Sequence, residues 1–285
     1  PLQRLAEAGG LGRAGLHTLV IHPRFGPHMY LSALVLQRPL SRYDQPLDFD
    51  PCLDCNLCAS VCPTGAVAID APFDFTSCVT HNYREKLGGF TDWVHTVADS
   101  RSAKHYRQRF SDRETLSLWQ SLGYEANTKC DYCMAVCPAG AQAMPSYQDD
   151  KKAYVEQVVR PFRAKPETIY VVPGSDAESH VAKRFPHKTA RPVGNGLKPA
   201  TIEGLLQSLP LVFQRGRSAG LKARYHFSFG GSEKIEATVV IGEQTISVEK
   251  GLCGQPDLRI KADSETWIGF LAKERSLVWA LLGGR

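Results

Sequence analysis

The chain has 285 residues, 43% hydrophobic and 22% charged, with 34 Lys and Arg against 29 Asp and Glu and a net charge of +5. That is enough apolar chain for two domains or one large one, each with a proper core. No window approaches ~18 uninterrupted apolar residues, so a membrane span is not expected. The basic residues are scattered rather than gathered in runs. Nucleic acid is therefore not the expected partner, although an acidic redox protein suits the same balance.

The chain begins at Pro1, inside what reads as an amphipathic helix, "PLQRLAEAGG". A fragment or processed product is expected from that start, and no signal peptide is visible. Residues 1–47 continue with a glycine turn, a short strand "LHTLVIH", a Pro-Gly loop and a second strand in "MYLSALVLQ". Residues 48–165 hold the clustered cysteines, separated by a polar helical insert. Within it "SDRETLSLWQSLG" opens on the capping-box pattern Ser111-x-x-Glu114 and is expected to stop near Gly123. Residues 166–198 carry four prolines and little hydrophobic periodicity, which predicts a linker or an irregular wrap. From Ala200 a helical segment, period-two strands with glycine turns, and a final helical segment predict an α+β domain over 199–285.

Eight of the nine cysteines fall between Cys52 and Cys137, and Cys253 stands apart. Adjacent C-x2-C pairs and Cys-Pro endings are poor disulfide geometry and good metal-ligand geometry, which also makes a reducing, cytoplasmic compartment the expectation. "CLDCNLCASVCPTG" has the spacing C-x2-C-x2-C-x3-C-P, whereas "CDYCMAVCPAG" has only three cysteines. In two-cluster ferredoxins the Cys-Pro cysteine of each motif ligates the other cluster. By that rule Cys52, Cys55 and Cys58 take Cys137 for one [4Fe-4S] cluster. Cys62, Cys130 and Cys133 then hold the second with one ligand short, and Cys78 is the unassigned cysteine that completes it. A zinc ribbon needs neither the third cysteine at x2 nor the Cys-Pro that follows. His81, His95 and His105 lie in the insert, where surface or packing roles are expected rather than catalysis.

This order of motifs, with the lone Cys78 between them and "AGGLGRAGLHTLVIHPRFGPHMYLSALVLQRPL" upstream, resembles the iron–sulfur half of epoxyqueuosine reductases and corrinoid reductive dehalogenases. The likeness runs from residue 1 to about 145. It implies that the clusters feed electrons to a cobalamin held by a nitroreductase-like domain whose larger part lies N-terminal to this segment. It also gives Gly10, Gly12 and Gly15 two readings, a corrinoid-tail site or tight turns in a folded core.

The segment from about Thr201 to Arg285 resembles the sterol-carrier-protein-2 fold, a strand meander with helices around an apolar tunnel. That family continues into a further strand and helix, so this domain is expected to be C-terminally incomplete. Phe227, Phe229, Trp267, Phe270, Leu271 and Trp279 could line such a tunnel or simply form the core.

Three functions follow as expectations. The first is an electron-transfer protein with two [4Fe-4S] clusters, part of or partner to a corrinoid-dependent reductase, whose sterol-carrier-like domain takes an apolar ligand or partner. The second is a complete cobalamin-dependent reductase seen without its N-terminal catalytic domain, with cobalamin supplied by that domain or by a partner. The third is a lipid-binding scaffold whose clusters are structural.

Overall fold

The computed structural model describes residues 2–278 apart from 53, 87, 125–127, 195, 197, 273 and 277. Helix α1 (Leu2–Ala8) leads into a hairpin of β1 (Arg13–Ala14) and β2 (Val20–Ile21), in register Arg13↔Ile21. Only those two residues of "LHTLVIH" form a strand, because the residues before them make a turn, with the Thr18 amide donating to the Gly15 carbonyl at 2.8 Å.

The expected strand in "MYLSALVLQ" is absent. Tyr30, Leu34 and Val35 are 105%, 90% and 99% exposed, and no described strand pairs with this segment. A strand needs a ladder partner to be stable, and this run, ending before Pro39, has none among the described residues.

The cysteine region is helical. Two short helices, α2 (Leu57–Val61) and α7 (Tyr132–Ala135), each precede a Cys-Pro. Cys62, forced towards extended backbone by the proline after it, closes α2 at ψ 111°. Between α2 and α7 lie α3 (Phe75–Asn82), α4 (Gly88–Ala98), α5 (Ala103–Arg109) and α6 (Asp112–Tyr124). The capping box at the start of α6 is formed: the Glu114 amide donates to Ser111 Oγ at 3.2 Å and the Ser111 amide to Glu114 Oε2 at 3.0 Å. Helix α8 (Met144–Asp149) then precedes a run of α9 (Lys151–Tyr154), a π turn (Val155–Val159) and α10 (Arg160–Ala164). A core of Leu57, Val61, Tyr132, Val136, Tyr147, Tyr154 and Val159 clamps α2 to α7.

The stretch expected to be a linker is instead a β-α-β unit: β3 (Thr168–Val171), α11 (Asp176–Arg184) and β4 (Thr189–Pro192), with the strands parallel. Its prolines lie at the margins of these elements rather than inside them, and for that reason composition read as punctuation. A second capping pattern opens α11, Ser175 Oγ accepting from the Glu178 amide at 3.3 Å. Ile169, Val171, Ala177 and Val181 form its buried core.

The last unit has α12 (Ile202–Val212), a four-stranded sheet and α13 (Ser264–Leu271). The strands β5 (Ala223–Gly230), β6 (Ile235–Gly242), β7 (Thr245–Lys250) and β8 (Leu258–Asp263) lie in the order β7-β6-β5-β8, with β5 and β8 parallel. Mixed helix and sheet, the chain is of α+β class. Phe227, Phe229, Trp267 and Phe270 pack on one another at centroid distances of 5.8–6.2 Å. Leu271 is 39% exposed, and Trp279 lies outside the described residues. This unit meets the cysteine region at α3, where Thr76 Oγ1 donates to the Leu211 carbonyl, and at the loop before it, where Arg215 donates to the Pro72 carbonyl at 2.5 Å.

Candidate metal centre

The loop from Cys52 to Cys58 turns through two residues in the left-handed region, Asp54 (φ 50°) and Asn56 (φ 52°), types that tolerate it best after glycine. Cys52, Cys55, Cys58 and Cys137 together line a narrow cavity of about 20 Å³. Cys62, Cys78, Cys130 and Cys133 line a second cavity of about 230 Å³. The eight cysteines therefore divide four and four, and each group draws on both motifs.

The thiols sense one another in the same grouping. Cys78 is influenced by Cys62 and Cys133, Cys130 by Cys62, Cys133 and Cys78, and Cys137 by Cys55 and Cys52. Cys58 feels Cys55 and Cys137, and also Cys133 across the divide, so the two groups adjoin. Among the described residues no three His, Cys, Asp or Glu side chains converge on a single-ion position. The members of each quartet face a shared space.

Burial is the largest influence on these thiols. It pushes Cys58 and Cys78 up to about 12 and Cys133 and Cys137 up to about 11, and it raises Cys52 and Cys130 as well. A bound cation reverses that logic, because a coordinating thiol is deprotonated outright.

Backbone amides already oppose the burial. Leu16 N–H donates to Cys52 Sγ at 3.1 Å, and the backbone amides of Ala59, Tyr132, Met134 and Ala139 act to lower the pKa of Cys58, Cys130, Cys133 and Cys137 against burial. Amides aimed at sulfur stabilise thiolate, so the donor set fits an iron–sulfur group and its supports are built in. Cys78 differs, facing Asp74 and Asp131 along with its partner thiols.

Gly10, Gly12 and Gly15 are packed by the chain itself. A Cβ on Gly10 would lie 2.4 Å from the Gln45 carbonyl oxygen and one on Gly12 2.3 Å from that of Ile21. At Gly15 it would meet Ile21 Cδ1 at 2.6 Å and stand 3.4 Å from Cys52 Sγ, so this glycine admits the first cysteine to its place. Of the insert histidines, His95 is exposed, His105 is half-buried and accepts from the Arg101 amide at 3.3 Å, and His81 is 2% exposed.

His81 lies between two spaces. It lines the Cys78 cavity and also a polar cleft of about 500 Å³ with Arg113, Glu114, Lys129, Glu167 and Arg191. His17, which sequence patterning did not single out, lines both cysteine cavities. Its place depends on the turn before β2, and no motif spacing signals it.

A family model described as a 4Fe-4S binding domain matches residues 46–68. Epoxyqueuosine reductases of Shigella dysenteriae and Escherichia coli are 24% and 23% identical over 209 residues, 72% of this chain and 48% of those proteins. The epoxyqueuosine reductase of Bacillus anthracis is 31% identical over 94 residues, 30% of this chain and 24% of that one. The chain thus spans about half the length of the first two of these curated relatives. A double mutant of the sec-alkyl sulfatase PisA1 is similar over 54% of this chain and 28% of its own, at 14% identity and a TM-score of 0.29, a likeness that carries no argument. No described helix is long and apolar enough to cross a membrane. Around its first cysteine motif the chain carries a 4Fe-4S binding domain.

Proposed function

We propose that this chain is an electron-transfer module carrying two [4Fe-4S] clusters, part of or partner to a corrinoid-dependent reductase. The observation that carries the reading is the four-and-four division of the cysteines. Cys52, Cys55, Cys58 and Cys137 would hold one cluster, and Cys62, Cys78, Cys130 and Cys133 the other. Bound there, the clusters would supply one-electron transfer. The chain's own contribution is to keep the thiolates apart from water, to aim backbone amides at sulfur and to hold the two groups adjacent.

Iron and sulfide analysis of the purified chain tests this directly. About eight irons and eight sulfides per chain are expected, with an EPR signal of two interacting clusters on reduction. Stoichiometric zinc in place of iron would sink it.

The similarity to epoxyqueuosine reductases over 48% of their length favours a second reading, a cobalamin-dependent reductase to which this chain contributes the iron–sulfur part. Cobalt bound stoichiometrically to the whole protein would support it. For the unit after Ile202 we infer a sterol-carrier-like role towards an apolar ligand or partner, on the strength of its helix, four-stranded sheet and closing helix. Native mass spectrometry for co-purified lipid is the check. If Cys78→Ala left turnover intact after losing its cluster, the clusters would be structural and the chain a scaffold.

A further inference from the structure

Five buried side-chain polar atoms among the described residues lack a hydrogen-bond partner, and two of them are the Nε2 atoms of His17 and His81. Both rings are locked in the same way. His17 Nδ1 accepts the Leu19 amide at 3.1 Å, and His81 Nδ1 accepts the Tyr170 amide at 3.3 Å. A neutral imidazole that accepts at Nδ1 carries its proton on Nε2, so each orphan is a donor N–H. The other three orphans, Thr80 Oγ1, Glu85 Oε2 and Ser121 Oγ, line neither cysteine cavity, whereas both histidines do.

We propose that His17 and His81 are positioning residues that donate their buried Nε2–H groups to cluster sulfur, His17 at the Cys52 site and His81 at the Cys78 site, and so raise the two reduction potentials. This rests on the two-cluster reading above.

The geometry supports each half. A Cβ on Gly15 would lie 3.3 Å from His17 Cε1 and 3.4 Å from Cys52 Sγ, and both side chains line the same small cavity. His81 follows Cys78 on α3 and is 2% exposed, stacked on Tyr170 at 6.1 Å. A buried N–H without an acceptor is costly, and sulfur in the cavity supplies one. Reduction adds an electron to the cluster, and an N–H aimed at sulfur stabilises the more negative state.

The experiment is a redox titration of the full chain with its iron counted first, for the wild type, His17→Phe, His17→Gln, His81→Phe and His81→Gln. Each Phe variant should lower one of two one-electron waves by about 59 mV, a tenfold change in the reduction equilibrium. Each Gln variant, which keeps an N–H donor, should restore most of that loss. Waves unmoved by Phe, Gln variants that fall as far as Phe, or both histidines moving one wave would overturn the inference while leaving the clusters in place. Absence of iron would overturn both readings. Should a variant fail to fold, pulsed EPR of wild-type protein labelled with ¹⁵N-histidine tests the same contacts. Weak ¹⁵N coupling to both reduced clusters is expected, and its absence would overturn the assignment.

Discussion

His180 Nε2 lies 3.2 Å from the carbonyl oxygen of Cys62, joining α11 of the β-α-β unit to the loop that follows the first cysteine motif. The same ring presses on Gly65 of that loop, whose φ of +68° suits glycine and whose added Cβ would stand 2.7 Å from His180 Nδ1. Burial lowers the His180 pKa, opposed by its bond to Cys62, so the ring is a neutral donor here. The unit between residues 166 and 198 is therefore a buttress for the Cys62 loop, not a tether between domains.

Gly65→Ala should expose that dependence. The substitution combines a strained backbone with a clash, at a cost of about 1–3 kcal/mol in unfolding free energy. Loss of iron should accompany it, since the loop carries Cys62. Urea titration gives the first quantity and iron analysis after gel filtration the second. His180→Ala, which removes one hydrogen bond, should cost about 1 kcal/mol. A Gly65→Ala protein as stable and as iron-rich as the wild type would refute the buttress.

The crossed ligand sets make a prediction that spacing within a motif would not. Cys62 belongs to the first motif but lines the second cavity, and Cys137 belongs to the second motif but lines the first. Cys62→Ser and Cys78→Ser should therefore damage the same cluster, leaving about four irons and one set of EPR features. Cys137→Ser should remove the other set, in common with Cys52→Ser. If Cys62→Ser instead matched Cys52→Ser, the crossing would be wrong.

Much of this was readable from residues. Eight cysteines with two Cys-Pro endings and a stray Cys78 lead, through the crossing rule of two-cluster ferredoxins and then by counting, to the quartets that line the two cavities. Ser111 and Glu114 announced their helix because a capping box is a local device. The β-α-β unit was missed although Ser175 and Glu178 repeat that device, because its strands have only four residues each and its prolines masked the margins. The apolar run of Tyr30 to Leu36 misled in the opposite direction, since pattern reports what could pair and not whether a partner is present. His17 and His180 were illegible for another reason. Their roles come from long-range packing onto the cysteine loops, which no periodicity encodes.

Thiol reactivity follows from burial. Without metal, Cys58, Cys78, Cys133 and Cys137 stay protonated well above neutral pH and are shielded, whereas Cys253 is exposed in the last unit. Alkylation of chelated but still folded protein at pH 8 should label Cys253 first, with those four slower by about tenfold or more. Peptide mapping over time reads the order. Rapid labelling of Cys78 alongside Cys253 would mean that the Cys78 cavity opens without metal.

Glu167 governs acid stability beside the second motif. Its Oε1 accepts from Lys188 Nζ at 2.6 Å and its Oε2 from Tyr132 Oη at 2.5 Å, while Lys165 stands 3.3 Å away. Tyr132 lies between Cys130 and Cys133, so this network ties β3 to the cysteine loop. Burial alone would raise the carboxyl pKa, but the bonds from Lys188 and Tyr132 and the lysine charges hold it below the ordinary 4.5. A carboxyl depressed in the folded state contributes stability above its unfolded value and loses it as pH falls through the folded one. Wild-type stability should therefore fall away below about pH 4.5, with Glu167→Gln showing a shallower decline over that range and a loss of about 1.5–3 kcal/mol at pH 7. Lys188→Met should be worse at pH 7, because it removes the buried cation and leaves Glu167 with the Tyr132 hydroxyl and the half-exposed Lys165. Urea titrations at pH 7 and pH 4 decide it, and parallel pH profiles for wild type and Glu167→Gln would remove Glu167 from the account of acid stability.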